Sequence, residues 1–268
     1  MLGRRHKMTT TVYDYNRRIL ASDSRWSAVC SLQDGDYLIY ADDTGFHKIA
    51  MRPGASLILA GDGQLISEWK RWWQQPTISS DNMPEVAISE IRLVSVMIIS
   101  VTGDILFDAG PKKVLLDTQT QGFVGIFSGS GKDYAAECFD RNRCFRTAVE
   151  TAKSQDFCSG GQVMFSDISL GHHNLQDENY DYNSVITAIH DRGMIMKINN
   201  LNIPTNDPVA MNLSAHHEAD SVKKALKSGS IRACAPSGDS QFRWTDARIT
   251  RLKNAIDLVA EIEEEMKR

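Results

Sequence analysis

The chain has no long apolar run. Its longest, Val94–Val101, holds Ser95 and Ser100 and is far too short to cross a bilayer. The basic opening, Met1–Lys7, has no apolar stretch behind it, which excludes a secretory signal of the ordinary kind. There is no C-x-x-C pair. The five cysteines, Cys30, Cys138, Cys144, Cys158 and Cys234, are odd in number. That pattern fits free thiols in a reducing cytoplasm better than a disulfide or zinc framework. No excess of positive charge is present either. With 30 basic and 34 acidic residues the net charge is −4 and the pI is near 6.0, which argues against a general binder of nucleic acid or anionic membrane. Internal repeats and low-complexity tracts are missing. So is the H-E-x-x-H spacing of a zinc helix. His172-His173 and His216-His217-Glu218 are adjacent in sequence, and neighbouring side chains diverge, so these read as solvated loop residues with no metal site.

What remains is ordinary for a soluble globular chain: 268 residues, 42% apolar and 24% charged. The length predicts one large domain, or one domain with an extension. Thr10–Asp14 and Ile19–Ser22 read as a hairpin closed at Tyr15–Arg18. Residues 24–47 read as a long mixed connection. Ser56–Ala60 is an apolar strand broken by Gly61-Asp62-Gly63. Gln64 to Gln75 reads as a helix ended by Pro76. Leu93–Ser100, Ile105–Asp108, Val114–Asp117 and Val124–Ser128 follow as strands. Helices are predicted from near Asp133 and over Arg143 to Gln155, then a strand over Val163–Ile168. The segment 171–183 is polar. Residues 185–198 read as a hairpin with Asp191-Arg192-Gly193 at the tip, and 199–239 have weak periodicity. From about Thr245 a last helix carries an apolar stripe of Ile249, Leu252, Ile256, Val259, Ile262 and Met266. Strands and helices in this order predict an α+β layered fold, not strict βαβ alternation.

Several motifs invite chemistry. "GIFSGSGK", Gly125–Lys132, approaches a phosphate-binding loop. Its spacing is one residue too long, and Asp133 stands where a Mg²⁺-binding hydroxyl belongs. It reads instead as a tight strand-to-helix turn. Trp69, Trp72 and Trp73 recur at helical spacing and read as facing a core or a subunit contact, a packed interface in preference to a small-molecule platform. The threonines Thr9, Thr10 and Thr11 follow Met8. A threonine hydroxyl is a poor nucleophile until a base takes its proton. A free α-amine on the same residue, with an ordinary pKa near ~8, does this. The arrangement works only once the peptide bond before Thr9 is gone, either because Met8 is the true start or by self-cleavage. Residues 1–8 are therefore a candidate leader or a mis-assigned start. A nearby lysine would hold the amine neutral, and an aspartate would hold that lysine charged. Lys48, in "GFHKIA", is the best candidate in the first third of the chain. The alternatives are a Thr-rich edge strand and an exposed strand-end lysine.

Together these pieces resemble a proteasome β-type subunit of the N-terminal-nucleophile hydrolases. The peptidase half of the bacterial HslUV protease and small bacterial and phage proteasome homologues are relatives of that type. "TTTVYDY…ILASDSR" is similar to the mature start of such subunits. The likeness puts Thr9 at the nucleophile, Asp23 at the aspartate that orients the lysine, and Arg25 and Ser27 on the strand bordering substrate. "HKI" puts Lys48 at the catalytic lysine. "LAGDG" resembles the oxyanion turn, with the Gly61 N–H as donor. "FSGSGKDYA" puts Ser130 near the Thr9 amine, and "DFCSGG" adds Asp156 and Ser159 to that network.

The resemblance implies a four-layer α-β-β-α sandwich over residues 9–200, with 201–268 as a C-terminal extension ending in an amphipathic helix. It implies a cytoplasmic threonine-type endopeptidase without a cofactor, assembled as a homo-oligomeric ring or spiral. Its substrate is peptide or unfolded protein, fed by a separate ATP-driven unfoldase. It implies no nucleic-acid or membrane partner. A small-amide hydrolase or acylase, and an inactive assembly protein, are the alternatives on the same fold. The connection from Asp23 to Lys48 and the region past residue 200 are longer than the family's, and such additions alter ring formation or cover the site.

Overall fold

A computed structural model of the chain describes residues 9–90, 92–175, 179–198, 209–235 and 242–268. Residues 1–8, the candidate leader or mis-assigned start, lie outside the described residues, as do parts of the polar stretch 171–183 and of the region from residue 201.

The chain opens with a hairpin of β1 (Thr10–Asp14) and β2 (Ile19–Asp23). β3 (Trp26–Leu32), β4 (Gly35–Ala41), β5 (Ile49–Arg52) and β6 (Ala55–Asp62) lead into helix α1 (Gly63–Trp73). Next come β7 (Ala87–Ser89), β8 (Arg92–Ser100), β9 (Ile105–Ala109), β10 (Lys112–Leu116) and β11 (Phe123–Gly129). Helices α2 (Lys132–Asn142) and α3 (Phe145–Gln155) precede β12 (Val163–Asp167) and the two-residue β13 (His172–His173). α4 (Asn183–Arg192) feeds β14 (Met194–Ile198). The remainder holds β15 (Met211–Asn212), α5 (Ala219–Lys227), β16 (Cys234–Ala235) and α6 (Asp246–Met266).

The strands form two large antiparallel sheets in an α+β fold. The first runs β10-β11-β1-β2-β12-β13, and the second β15-β14-β4-β3-β16-β6-β8-β7, with β5 and β9 paired alongside β6 and β8. Tyr13, Leu20, Ile126 and Met164 of the first sheet share a core cluster with Ile49, Ile58, Met97 and Ile99 of the second. A second cluster joins Val12, Ala21 and Phe127 to Phe139 and Val149 of α2 and α3. The largest joins the second sheet to α1, α4, α5 and α6. Alternation along each strand accounts for this: successive residues face opposite ways, so one strand serves two cores. Among the described residues no helix is long and apolar enough to cross a membrane.

Four local expectations are corrected. Residues 24–47 are not a long connection, since β3 and β4 form a full hairpin there, pairing from Trp26↔Ala41 to Leu32↔Gly35. Asp34-Gly35 is the turn signal, with Gly35 at φ 145°. Residues 185–198 are not a hairpin. Val185 and Ile189, one helical turn apart, are fully buried, and Asp181 Oδ1 accepts from Asn183 N at 2.9 Å to open α4. Packing here outweighs the strand preference of the β-branched residues. Trp69, Trp72 and Trp73 take the core reading and not the favoured interface, since all three are buried in the largest core. The stripe of α6 also ends early. Met266 is exposed, while Glu263 is buried and ion-paired to Arg52 at 2.5 Å.

The extension is not separate from the rest. Its β15 pairs with β14, and its β16 lies between β3 and β6 inside the second sheet.

Candidate active site

Thr9 immediately precedes β1, and β1 is no edge strand: it pairs with β11 on one side and β2 on the other, all five residues buried. The β1–β2 register runs from Asp14↔Ile19 to Thr11↔Ser22, and one step further sets Asp23 beside Thr10. Asp23 then becomes the hub of a buried cluster. Its Oδ1 accepts from Thr9 Oγ1 at 2.6 Å, Thr10 N at 2.9 Å and Lys48 Nζ at 2.7 Å. Its Oδ2 accepts from Arg25 N and Gly160 N, both at 3.1 Å. Thr9, Asp23 and Lys48 are each at most 1% exposed.

Lys48 is therefore not an exposed strand-end residue. It stands just before β5, and its carbonyl accepts from Leu59 N of β6 at 2.9 Å. Burial pulls the Lys48 ammonium below the ordinary lysine range, and the Asp23 charge opposes that pull. A lysine so placed gives up its proton more readily than one in water.

A second network lies on the other side of the Thr9–Thr10 backbone. Asp156 caps the end of α3, its N–H donating to Ala152 O at 2.8 Å. Its Oδ2 accepts from Ser130 Oγ and, at 2.8 Å, from Ser159 Oγ. Ser159 Oγ also shares a hydrogen bond of 2.8 Å with Thr10 Oγ1. Burial raises the Asp156 carboxyl above its ordinary value of 3.8, against the lowering effect of these hydroxyls. The two networks join through the 156–160 turn, where Gly160 O accepts from Ser24 N and Arg25 N at 3.0 and 3.2 Å.

The glycine-serine-glycine turn wraps the same backbone. Gly131 N donates to Thr9 O at 3.4 Å. Gly129 has φ 87°, and a Cβ there would sit 1.7 Å from Thr9 O, so only glycine fits. Ser130 itself bonds Asp156. The turn joins β11 to α2, as the strand-to-helix reading of this segment expects.

The predicted residues thus fall into two linked groups, Thr9–Asp23–Lys48 and Ser130–Asp156–Ser159, while Gly61 and Ser27 lie in the second sheet, on β6 and β3. Gly61 lies on β6 at φ 134°, where a Cβ would meet Leu93 O at 2.2 Å. Ser27 is buried on β3. The Arg25 guanidinium is committed within the chain: it forks onto Asp42 at 2.7 and 2.8 Å and stacks 3.8 Å from the Tyr40 ring centroid. Sequence reasoning missed three contributors: Thr10, through its N–H and hydroxyl, and the N–H groups of Arg25 and Gly160. The D-x-x-S-G-G motif signalled the last, since a glycine after a turn lets backbone approach backbone closely.

The paired histidines take no part. His216 is buried with its ring 5.0 Å from Tyr37, which corrects the solvated reading for that residue, while His172, His173 and His217 are exposed. Among the described residues no group of three or more His, Cys, Asp or Glu is placed to hold a metal ion. A scan against protein-family models and a search of curated proteins return no match to the chain.

Proposed function

We propose that this chain is a threonine-type endopeptidase of the proteasome β kind, an N-terminal-nucleophile hydrolase with Thr9 as nucleophile. The observation that carries the reading is the shared oxygen: Thr9 Oγ1 and Lys48 Nζ both donate to Asp23 Oδ1 in a buried cluster at the head of a central strand. The cores between the two sheets and on their outer faces support a four-layer α-β-β-α sandwich of that class.

In the mechanism, the bond between Met8 and Thr9 is cut first, leaving Thr9 with a free α-amine. Thr9 Oγ1 attacks the peptide carbonyl and its proton passes to that amine, directly or through a water. The buried Lys48 charge beside the site favours the neutral amine. The new C–O bond leaves an oxyanion that the Gly61 N–H accommodates. The C–N bond then breaks, the departing amine takes the proton, and water hydrolyses the ester on Thr9. Asp23 positions Lys48 and the hydroxyl. Ser130, Asp156 and Ser159 position the Thr9–Thr10 backbone. Arg25 and Ser27 border the substrate, and the chemistry calls for no cofactor. The protein acts in the cytoplasm as a homo-oligomer on peptide or unfolded substrate, with a separate unfoldase as partner.

Intact-mass measurement of protein purified from its host tests the reading. A chain beginning at Thr9 is expected. Retention of residues 1–8 in the whole population leaves the hydroxyl without its base and sinks both this mechanism and its small-amide variant.

A further inference from the structure

β3 and β6 never pair with each other. The only link between them in the described sheet is the two-residue β16, far along the chain, whose Cys234 faces both Ser27 of β3 and Asp62 of β6, and whose Ala235 faces Gly61. Since β16 is antiparallel to both, β3 and β6 run parallel to one another across a slot one strand wide. The β3 wall of that slot starts at Trp26, three residues after Asp23, and the β6 wall reaches Gly61 two residues past Leu59, whose N–H meets Lys48 O. Two open sheet edges facing each other at this spacing accept an extended backbone, because main-chain groups do the bonding and side chains set only the selectivity.

We propose that residues 233–235 are a self-supplied strand in the position that an extended polypeptide takes beside Thr9, so that substrate binds by displacing them. This rests on the peptidase reading. The segment pairs with β3 on one side and β6 on the other, and one side chain fixes its start. Tyr182 clamps it, its hydroxyl donating to Ala233 O at 3.0 Å and accepting from Ala233 N at 2.8 Å. Ile231 N donates to Ala225 O at 3.1 Å, and Arg232 Nη1 lies 4.0 Å from Asp62 Oδ2. The fit is tailored to this occupant: a Cβ on Gly63 would meet the Tyr182 ring at 2.3 Å and Ala233 O at 2.7 Å.

The strand also states what it would give way to. Ala233 and Ala235 point into the core with no exposure, while Cys234 between them is partly exposed. A replacement in the same register needs small side chains at two alternate positions and tolerates variety between them. The substrate class is therefore an extended peptide with small residues at every second place. Thr9 and Lys48 are 0% and 1% exposed in the state with the slot filled.

The test uses the full chain carrying Thr9→Ala, so that binding is read without turnover. The probe is a fluorescein-labelled peptide copying residues 230–235, compared with one carrying leucine at both alanine positions. Tyr182→Phe removes the two clamp bonds without changing shape, and is expected to tighten binding of the alanine peptide about tenfold. Excess alanine peptide is expected to speed amide exchange at 231–235 in the Thr9→Ala chain with Tyr182 intact, while β3 and β6 stay protected. The leucine peptide is expected to bind at least tenfold more weakly. Equal affinity with and without the clamp, together with unchanged protection at 231–235, overturns the proposal. Displacement by peptide in a protein whose Thr9 form cleaves no peptide upholds the strand exchange and overturns the peptidase reading instead.

Discussion

Thr9 and Lys48 donate to the same oxygen, Asp23 Oδ1, at 2.6 and 2.7 Å, although the sequence holds them 39 positions apart. The carboxylate is thus both the counter-charge of a buried ammonium and the acceptor that aims a hydroxyl. Removing it breaks two functions at once. Asp23→Asn leaves an uncompensated charge in the core and is expected to lower stability by about 3–5 kcal/mol in denaturant titration. Pairing it with Lys48→Met removes the stranded charge and is expected to recover most of that loss, with no recovery of peptide hydrolysis. Recovery of hydrolysis in the double variant would show that the pair is structural only.

Asp156 makes a pH prediction. Its folded carboxyl is held above the ordinary 3.8 by burial, so the folded chain keeps this proton to a higher pH than the unfolded chain does. Below 3.8 both states are protonated and the group contributes nothing. As pH rises past 3.8 the unfolded state ionises first, and stability falls until the folded value is passed. Wild-type stability minus that of Asp156→Asn is therefore expected to decline with rising pH over that window and then level off. A flat difference from pH 3 upward contradicts this.

Besides the apolar face that Leu252, Ile256 and Val259 give to the core, the C-terminal helix α6 is held by a buried fork. Arg52 Nε and Nη2 donate to the two Glu263 oxygens at 2.5 Å, and Gly54 N adds a third bond at 3.1 Å. Both side chains are nearly buried. Glu263→Gln is expected to cost about 3 kcal/mol by stranding the guanidinium. Arg52→Met with Glu263→Leu is expected to restore most of it. Thermal unfolding of the three proteins measures this.

Part of this architecture was legible in the sequence, for physical reasons. The two short strand-forming runs flanking Tyr15–Arg18 predicted the β1–β2 hairpin, and its register, carried one step further, sets Asp23 beside Thr10. The Gly-Asp-Gly break and the spacing of Trp69, Trp72 and Trp73 predicted α1. Other elements read poorly because local preference and packing disagree. Val185, Ile186 and Ile189 are good strand formers, yet one buried face makes them a helix. Residues 24–47 carried a visible turn at Asp34-Gly35, but the apolar Val29 and Leu38, paired on the face opposite Trp26, Ala28 and Cys30, blur the period of two around it. β16 had no signal at all. Two residues hold no period, and only the slot between β3 and β6 makes Cys234–Ala235 a strand. The buried ion pair of Glu263 was equally hidden, since an acid on a helix normally faces water.

In the proposed mechanism Thr9 supplies both the attacking oxygen and the base. The decisive comparison is the rate of peptide hydrolysis for protein whose chain begins at Thr9, set against the same protein with Thr9→Ala. At least about a thousandfold loss is expected in the variant, with its oligomeric state unchanged. Equal rates in the two proteins would contradict it.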